Sequence, residues 1–482
     1  MAQSAHRFSR KELVRLLDGT IGHTLGEIDS TNVLGRSERN KGNAGAVFEQ
    51  SVLGYPADSD KRPDLIVDGV PTELKVTGLV ASPKSSRGWR AKEPMSITAV
   101  TPDDIVKEEF FTSAFWEKAE HLLIVYYLYV RPGKGIKFAQ YATFEVKGYD
   151  FHIWSELDVK RLKADWTLVR DFVDFALKQN RERWLPELSS LINRELLYLD
   201  TSPKYPNPPR FRFKNSFVTA IAEEHFGTAG IDATAITSMK DIDNHLATCR
   251  ERFAWKTIAQ IAEALGLKLA KGKPAKSLTE QAIVQMLTGH PGKLRNVELF
   301  TKASITCSSV TITTSGKRTE DMKVEPSLDF DDLLDPEASF EDSTLASQFI
   351  GTSIICAVFE ESPHETDRMN NRFLGFKRLW LGELSQDAQR LWETIRDLVF
   401  NNKLVDVPVL DRNGKPKLSR ITGLPSSAPN WPKSRDGVLF LRGSGRNARD
   451  KTVSINGVRM YRQNVWVKGI WIAEQLSRYE YL

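Results

Sequence analysis

Residues 63–75 carry the side chains needed for metal-assisted hydrolysis of a phosphodiester. Asp64 is followed, beyond a β-forming stretch, by Glu73 and Lys75. Because successive side chains of a strand point to opposite faces, Glu73 and Lys75 are expected to share one face. The Asp-Gly pair at 68–69 predicts a tight hairpin that places Asp64 beside Glu73. Two carboxylates suit Mg²⁺, and a neighbouring lysine can position a water against a phosphate.

Glu49 is a candidate third carboxylate upstream of this segment, within residues 42–50, which are expected to form a helix. A lone glutamate on a helix, like a lone Glu-x-Lys on an amphipathic strand, is more typical of a solvated surface than of a catalytic site. The preceding Pro-Asp pair at 63–64 favours a catalytic site. These residues alone leave both interpretations open.

Further motifs occur in a fixed order over residues 10–230, and together they resemble the MutH and Sau-type (GATC-cutting) restriction endonucleases of the PD-(D/E)xK nuclease superfamily. The motifs are His23-Thr24-Leu25-Gly26-Glu27, Asn40-Lys41-Gly42, Glu73-Leu74-Lys75-Val76-Thr77, Trp116-Glu117-Lys118, Tyr198-Leu199 and segment 210–217. The resemblance implies an α/β (α+β) fold with a mixed sheet flanked by helices. It also implies that Glu49, Asp64 and Glu73 bind Mg²⁺, and that Lys75 and Lys118 take part in catalysis.

Double-stranded DNA is the substrate that the resemblance implies, and several basic side chains are expected to contact it. Segment 210–214 alternates basic and aromatic residues, which is typical of a strand with its apolar face in the core and its basic face on DNA. The same residue types also bind phosphates without reading bases, so both roles stay open. The candidates are Lys41, Lys84, Arg87, Arg90, Lys92, Lys204, Arg210, Arg212 and Lys214. The chain departs from the family pattern at Ser202 and Arg212.

The composition is that of a globular chain with two or three domains. Its 482 residues exceed one ordinary core, and 41% of them are hydrophobic and 27% charged. The net charge of +5 permits a polyanionic partner without requiring one. The chain has three cysteines without zinc spacing, no apolar leader and no long apolar stretch. These features predict a cytoplasmic protein that does not enter a membrane, and the family resemblance implies a bacterial one.

Residues 231–482 echo the first 230 residues in degenerate form, which predicts two MutH-like domains, 1–230 and 231–482. Segment 280–283 echoes the helix of Glu49, and segment 297–302 echoes the strand of Glu73, with Phe300 in place of the lysine. No equivalent of the Pro-Asp pair precedes it. We therefore expect the second domain to bind DNA without cutting it. Its candidate contacts to an effector DNA are Arg442, Tyr461 and Arg462.

An acidic insert at residues 319–342 lies inside the second half. A long acidic loop is typically solvated or disordered. A sharper alternative is that the insert occupies a basic cleft until DNA displaces it.

Together these features predict a Mg²⁺-dependent type II restriction endonuclease of the IIE kind. It would cleave double-stranded DNA at a short site, 5′-GATC, while the C-terminal domain binds a second site as effector. Dimerisation on DNA and a cognate DNA methyltransferase in the host accompany this function. The alternatives are a MutH-like nicking endonuclease of mismatch repair and a non-cleaving, sequence-specific DNA-binding regulator. The intact set of Glu49, Asp64, Glu73 and Lys75 argues against the regulator.

Overall fold

The computed structural model describes residues 6–36, 42–56, 62–82, 88–130, 141–179, 181, 188–202, 208–227, 236–268, 275–289, 297–318, 320–325, 328, 330–335, 338–341, 343–363, 367–411, 413–418, 423–445 and 448–482. Within these ranges the chain is a mixed α/β protein, as the sequence predicts. No described helix is long and apolar enough to cross a membrane.

The first half is built around a mixed sheet. The strands of the first half are β1 (Arg7–Phe8), β2 (Leu65–Val67), β3 (Val70–Ala81), β4 (Trp89–Ala91), β5 (Met95–Ala99), β6 (Leu122–Leu128), β7 (Val146–His152), β8 (Leu199–Ser202) and β9 (Arg210–Phe213). Its helices are α1 (Arg10–Asp18), α2 (Leu25–Ile28), α3 (Val33–Arg36), α4 (Asn43–Val47), α5 (Pro102–Ile105), α6 (Ala114–Ala119), α7 (Glu156–Lys178), α8 (Leu188–Ile192) and α9 (Asn215–His225).

The main sheet has the order β1-β2-β3-β6-β7, with β4 paired to β3. Strand β6 runs parallel to β3 and antiparallel to β7. Its sequence is almost wholly apolar because both of its faces are buried. Leu122 and Ile124 belong to the cluster that contains α6 and α7 residues, whereas Leu123 and Val125 belong to the cluster of α1 and α4. The sheet therefore lies between two helical layers, with β3 at its centre.

The second half begins with helices. These are α10 (Met239–Phe253), α11 (Ile258–Ala264), α12 (Ala275–Thr288), α13 (Glu298–Lys302), α14 (Phe330–Leu334), α15 (Thr344–Ile350), α16 (Ser385–Phe400) and α17 (Gly469–Ser477). The strands are β10 (Ile305–Ile312), β11 (Met322–Lys323), β12 (Ser353–Glu360), β13 (Arg372–Trp380), β14 (Asp406–Pro408), β15 (Ser427–Pro429), β16 (Leu439–Ser444), β17 (Val453–Ile455), β18 (Val458–Met460) and β19 (Arg462–Val467).

The strand pairing of the first half recurs in the second. Strand β12 is parallel to β10 and antiparallel to β13, as β6 is to β3 and β7. Strand β19 lies between β11 and β16 and is antiparallel to both, as β9 lies between β5 and β8. Each of these two central strands leads directly into a helix, α9 or α17. The chain thus passes through the same arrangement twice.

The strand predicted over residues 297–302 is wrong, because residues 298–302 form helix α13. Glu298 and Lys302 are four residues apart and form an ion pair of 2.6 Å along this helix. Phe300 is buried in the core and does not occupy the position of Lys75. By its pairing, the counterpart of β3 is β10, whose sequence ITCSSVTI contains neither an acid nor a lysine.

The acidic insert is packed where the structure describes it, and the prediction of a solvated or disordered loop is wrong for those residues. Strand β11 pairs with β19, and the backbone N–H of Val324 donates to the carbonyl of Val465. Apolar residues between the acids anchor the segment in the second core, namely Met322, Val324, Leu328, Phe330 and Leu333. The Tyr129 hydroxyl, at the end of β6, donates to Asp335 of the insert.

The two halves share a buried contact surface. One hydrophobic cluster contains residues of α7 and α9 together with residues of α10 and α12. Lys302 of the second half is only 3% exposed and pairs at 3.0 Å with Asp158 of α7. Arg378 of β13 pairs at 2.8 Å with Glu195. The predicted boundary at 230/231 falls outside the described residues.

Candidate active site

The β2-β3 hairpin places Asp64 beside Glu73, as the sequence predicts. Asp68 and Gly69 have φ angles of 50° and 87°, the left-handed values that a two-residue hairpin turn requires. The register pairs Leu65 with Thr72, so the residues flanking this pair, Asp64 and Glu73, lie at the same end of the hairpin. The backbone N–H of Leu74 donates to Asp64 Oδ2 at 2.9 Å, which fixes the aspartate against β3.

Two lysines hold the Glu73 carboxylate. Lys75 Nζ donates to Glu73 Oε1 at 2.7 Å, which confirms that the two side chains share one face of β3. Lys118 Nζ, at the end of α6, lies 3.1 and 3.0 Å from Oε1 and Oε2. Glu73 is 2% exposed, so its charge is compensated inside the protein by two ammonium groups.

Asp64 has a raised pKa. The first cause is burial, which disfavours the charged form, and the second is the nearby Glu73 carboxylate. Lys75, the Leu74 N–H and Lys118 act in the opposite direction but do not cancel these causes. The site thus contains two neighbouring carboxylates and two lysine side chains in a partly desolvated position near the start of β3, where β3 begins to pair with β6.

Comparison with known proteins agrees with this geometry. The sequence model of the family described as "DNA mismatch repair enzyme MutH" matches residues 53–165, which include Asp64, Glu73, Lys75 and Lys118. The "Type II restriction enzyme Sau3AI" of Staphylococcus aureus is 22% identical over 395 residues, and the match covers 77% of each chain. The chain is thus similar to the MutH family over residues 53–165 and to a type II restriction enzyme over most of its length. The mixed sheet flanked by helices is consistent with the fold of a MutH-like PD-(D/E)xK nuclease.

Glu49, the third metal ligand that the family resemblance implies, is not brought into a metal-binding group. It lies half-buried in the π-helical turn Phe48–Val52, directly after α4. Within the described residues, no group of three or more His, Cys, Asp or Glu side chains is close enough to hold a metal ion. Asp64 and Glu73 remain as a carboxylate pair. This pair still fits Mg²⁺, because that ion is usually held by one or two carboxylates together with substrate phosphates and waters.

The predicted DNA contacts on β9 differ in accessibility. Arg210 is half-buried, and Arg212 forms a two-point ion pair with Asp200, at 2.7 and 3.1 Å. Lys214 does not fit the predicted role, because it is only 4% exposed and its Nζ donates to the Leu196 carbonyl at 2.6 Å. Burial lowers the pKa of Lys214, which marks it as a core residue that caps a carbonyl.

Sequence reasoning missed Asp200. It faces Arg212 across the β8-β9 register and is 4% exposed. Within the sequence an Asp among apolar residues 196–201 was the available signal, since a buried acid requires a cationic partner.

Two of the residues predicted to bind DNA, Arg90 on β4 and Lys92 directly after it, lie near the acidic insert. Arg90 Nη2 donates to Thr344 Oγ1 at 2.9 Å, directly after the insert. The Lys92 ammonium lies 4.5 Å from the centre of the Tyr129 ring, and that tyrosine contacts Asp335. The other candidates, Lys41, Lys84, Arg87 and Lys204, lie outside the described residues.

The predicted effector contacts lie on β16 and at the start of β19. Arg442 and Tyr461 line an open cleft of about 250 Å³ together with Lys433 and Lys451. Arg442 lies 4.6 Å from the centre of the Trp466 ring, and its Nη2 pairs with Asp321 of the insert at 2.8 Å. Arg462 is exposed and does not line this cleft. Asp321 is a second acid that sequence reasoning did not pair with its arginine.

Proposed function

We propose that the protein is a Mg²⁺-dependent type II restriction endonuclease that cuts both strands of double-stranded DNA at a short site, 5′-GATC. The observation that carries this proposal is the Glu73 carboxylate, held by Lys75 and Lys118 beside Asp64. A structural ion pair would need one lysine. Two lysines and a second, desolvated acid at one strand end suit a site that receives a phosphate and a cation.

Each side chain has a defined part in this chemistry. Asp64 and Glu73 would hold Mg²⁺, with Glu49 joining them if its turn moves. When bound, the ion supplies Lewis acidity toward the scissile phosphate and water. Lys75 orients the attacking water, which is a positioning role. Lys118 is at the end of α6 and can exchange Glu73 for a phosphate oxygen of the DNA.

The contacts of the free protein indicate how this site is held before DNA binds. Lys75 and Lys118 neutralise Glu73, so no uncompensated charge is buried while phosphate and cation are absent. If a phosphate and a cation bound, the carboxylates would contact the cation and the lysine ammonium groups would contact the phosphate. These contacts would replace the present contacts between the ammonium groups and Glu73. The total charge at the site changes little during this exchange, which lowers its cost.

DNA contacts in the catalytic half are assigned to Arg90, Lys92, Arg210 and Arg212. The Asp200 carboxylate holds the guanidinium of Arg212 in a fixed plane. A fixed guanidinium is suited to bidentate recognition of guanine, because less side-chain freedom is lost on binding. Lys214 is left out of the interface because of its burial.

The second half is proposed to bind a second copy of the site as an effector, without cutting it. The recurring strand pairings support a duplicated domain, and β10 lacks every group needed for catalysis. The cleft at Arg442, Tyr461 and Lys451 provides a cationic surface for that DNA. Dimerisation on DNA and protection of the host genome by a cognate methyltransferase complete the proposal.

One digestion experiment tests the proposal. Unmethylated phage DNA is incubated with the full-length protein and Mg²⁺, and the fragment ends are sequenced. Double-strand breaks at 5′-GATC, with none in DNA methylated at that site, are expected. Nicks in one strand only would favour the mismatch-repair alternative, and retained binding without any cleavage would favour the regulator.

A further inference from the structure

The first described strand of the chain begins beside the active site. Strand β1 pairs parallel with β2, with Arg7 opposite Ile66. The Ile66 N–H donates to the His6 carbonyl at 2.8 Å, and the Asp68 N–H donates to the Phe8 carbonyl at 2.9 Å. This pairing lies at the edge of the main sheet and places His6 next to the residue that precedes β2, which is Asp64.

The imidazole of His6 contacts two parts of the site. Its Nδ1 lies 2.8 Å from the backbone carbonyl oxygen of Asp64, and since a carbonyl only accepts, Nδ1 is the donor. The ring lies 4.3 Å from the Tyr55 ring, measured between centres. Tyr55 is 3% exposed, and its N–H donates to the carbonyl of Glu49 at 3.0 Å. His6 thus connects Asp64 to the end of the turn that carries Glu49.

We propose that His6 is a positioning residue for the Asp64 carboxylate, and this inference rests on the proposed nuclease function. Asp64 lies outside the β2-β3 ladder, so the ladder does not fix its backbone. Two hydrogen bonds fix it instead, one from Leu74 to its side chain and one from His6 to its carbonyl. Loss of the second bond lets the peptide rotate and moves the carboxylate away from Glu73. Outer-shell contacts of this kind change metal affinity by about 10- to 100-fold.

Two substitutions separate the hydrogen bond from the ring packing. His6→Phe keeps a ring against Tyr55 but removes the donor. His6→Asn removes the ring but keeps an N–H near the position of Nδ1. The exposed His23, which pairs with Glu27 on α2, provides the matched control as His23→Phe.

Mn²⁺ binding to the free protein, measured by electron paramagnetic resonance, is the primary readout. We expect His6→Phe to weaken Mn²⁺ binding about tenfold and to raise the Mg²⁺ concentration for half-maximal cleavage. His6→Asn should recover most of both effects, and His23→Phe should behave like the wild type. The midpoint of thermal unfolding should stay close to that of the wild type in all three variants.

Two results would overturn the inference. Unchanged Mn²⁺ binding in His6→Phe means that the hydrogen bond does not position the carboxylate. Equal losses in His6→Phe and His6→Asn, accompanied by a lower unfolding midpoint, mean that His6 only stabilises the fold. Because Mn²⁺ binding is measured without DNA cleavage, failure of the wild type to cut DNA would reject the proposed function while leaving this test valid.

Discussion

Strands β3 and β10 occupy equivalent positions in the two halves but differ completely in chemistry. Each is the parallel neighbour of a buried central strand, β6 or β12. Strand β3 presents Glu73 and Lys75 from one face, whereas β10 carries only apolar, Ser, Thr and Cys side chains. The apolar central strand sets the pairing, while a few polar positions on its neighbour carry the proposed catalytic groups. The same strand pairing therefore occurs with and without the proposed catalytic groups.

The closing strands offer a second comparison. Phe213 and Val467 both end their strands directly before a lysine and a helix, and they pair with Leu199 and Leu439. By this register, Arg442 occupies the position of Ser202. In both halves an arginine of these closing strands pairs with an aspartate of the same chain, Arg212 with Asp200 and Arg442 with Asp321. In the first half the acid comes from the adjacent strand, and in the second half it comes from the acidic insert.

The largest expected effect is the loss of cleavage on substitution of the groups on β2 and β3. Asp64→Ala, Glu73→Ala and Lys75→Ala should each reduce the cleavage rate on the order of 10³-fold or more, because they remove groups that act on the phosphate, cation or water. DNA affinity in Ca²⁺ should be largely retained. Single-turnover cleavage and gel-shift assays check both outcomes.

Substitutions on β10 provide the matched controls. Thr306→Ala and Ser308→Ala should leave cleavage unchanged, since β10 lacks catalytic groups. A severe loss in either folded control, or near wild-type cutting by a β3 variant, would break the comparison between the two strands.

The next effect tests the effector role of the second half. DNA with two sites should be cut about 5- to 150-fold faster than DNA with one site, since allosteric coupling is typically worth that factor. A short duplex carrying the site should rescue the slow reaction in trans. Effector DNA can shift the population only by binding the active state more tightly.

Arg442→Ala and Arg462→Ala should reduce this two-site advantage without slowing the basal cleavage of single-site DNA. Arg368→Ala is the matched control, because Arg368 is an exposed arginine of the second half that lies neither in the cleft nor on β16 or β19. Equal rates on both substrates, with no response to added duplex, would reduce the second half to a dimerisation or non-specific DNA-binding module.

The contact between the halves gives a prediction on stability. Glu298→Ala should leave cleavage nearly unchanged but lower the free energy of unfolding by about 1–3 kcal/mol, because Lys302 is buried and loses one of its partners. Thermal and urea unfolding check this. Exposed Glu263 on α11 is the control, as Glu263→Ala. A Glu298→Ala protein that is stable but inactive would mean that α13 contributes to catalysis.

The same ion pairs have a defined pH dependence. Burial acts to lower the pKa of Lys302, but the neighbouring Asp158 and Glu298 outweigh it, so the pKa lies above the ordinary value of 10.5. The proton is therefore held more tightly in the folded than in the unfolded chain. The resulting stability is fully present below pH 10.5 and is lost as the pH rises through the folded pKa.

The sequence was most informative where local rules decide the structure. The hairpin that brings Asp64 beside Glu73 follows from the Asp-Gly turn and from the alternation of side chains along a strand. The structure contains this turn and this strand pairing. The strand prediction for segment 297–302 is wrong because Val-Glu-Leu-Phe-Thr-Lys is compatible with a strand as well as with one helical turn. The segment forms a helix that packs against α9. The burial of Lys214 and the partners Asp200 and Asp321 depend on contacts between distant segments, which alternation along one strand does not reveal.

The smallest expected effect concerns the acid that the insert places on Arg442. Asp321→Asn should strengthen binding of effector duplex by up to about fivefold, because exposed ion pairs of this kind are worth about 0–1 kcal/mol and the DNA phosphate must displace the aspartate. Fluorescence anisotropy with a short duplex measures this, using the Asp64→Ala background to prevent cleavage. Glu320→Gln is the matched control, since the neighbouring Glu320 pairs with Arg368 outside the cleft. Weaker binding in Asp321→Asn would show instead that the aspartate orients Arg442 for DNA, as Asp200 is proposed to orient Arg212. The two halves would then resemble each other more closely in their DNA contacts than in strands β3 and β10.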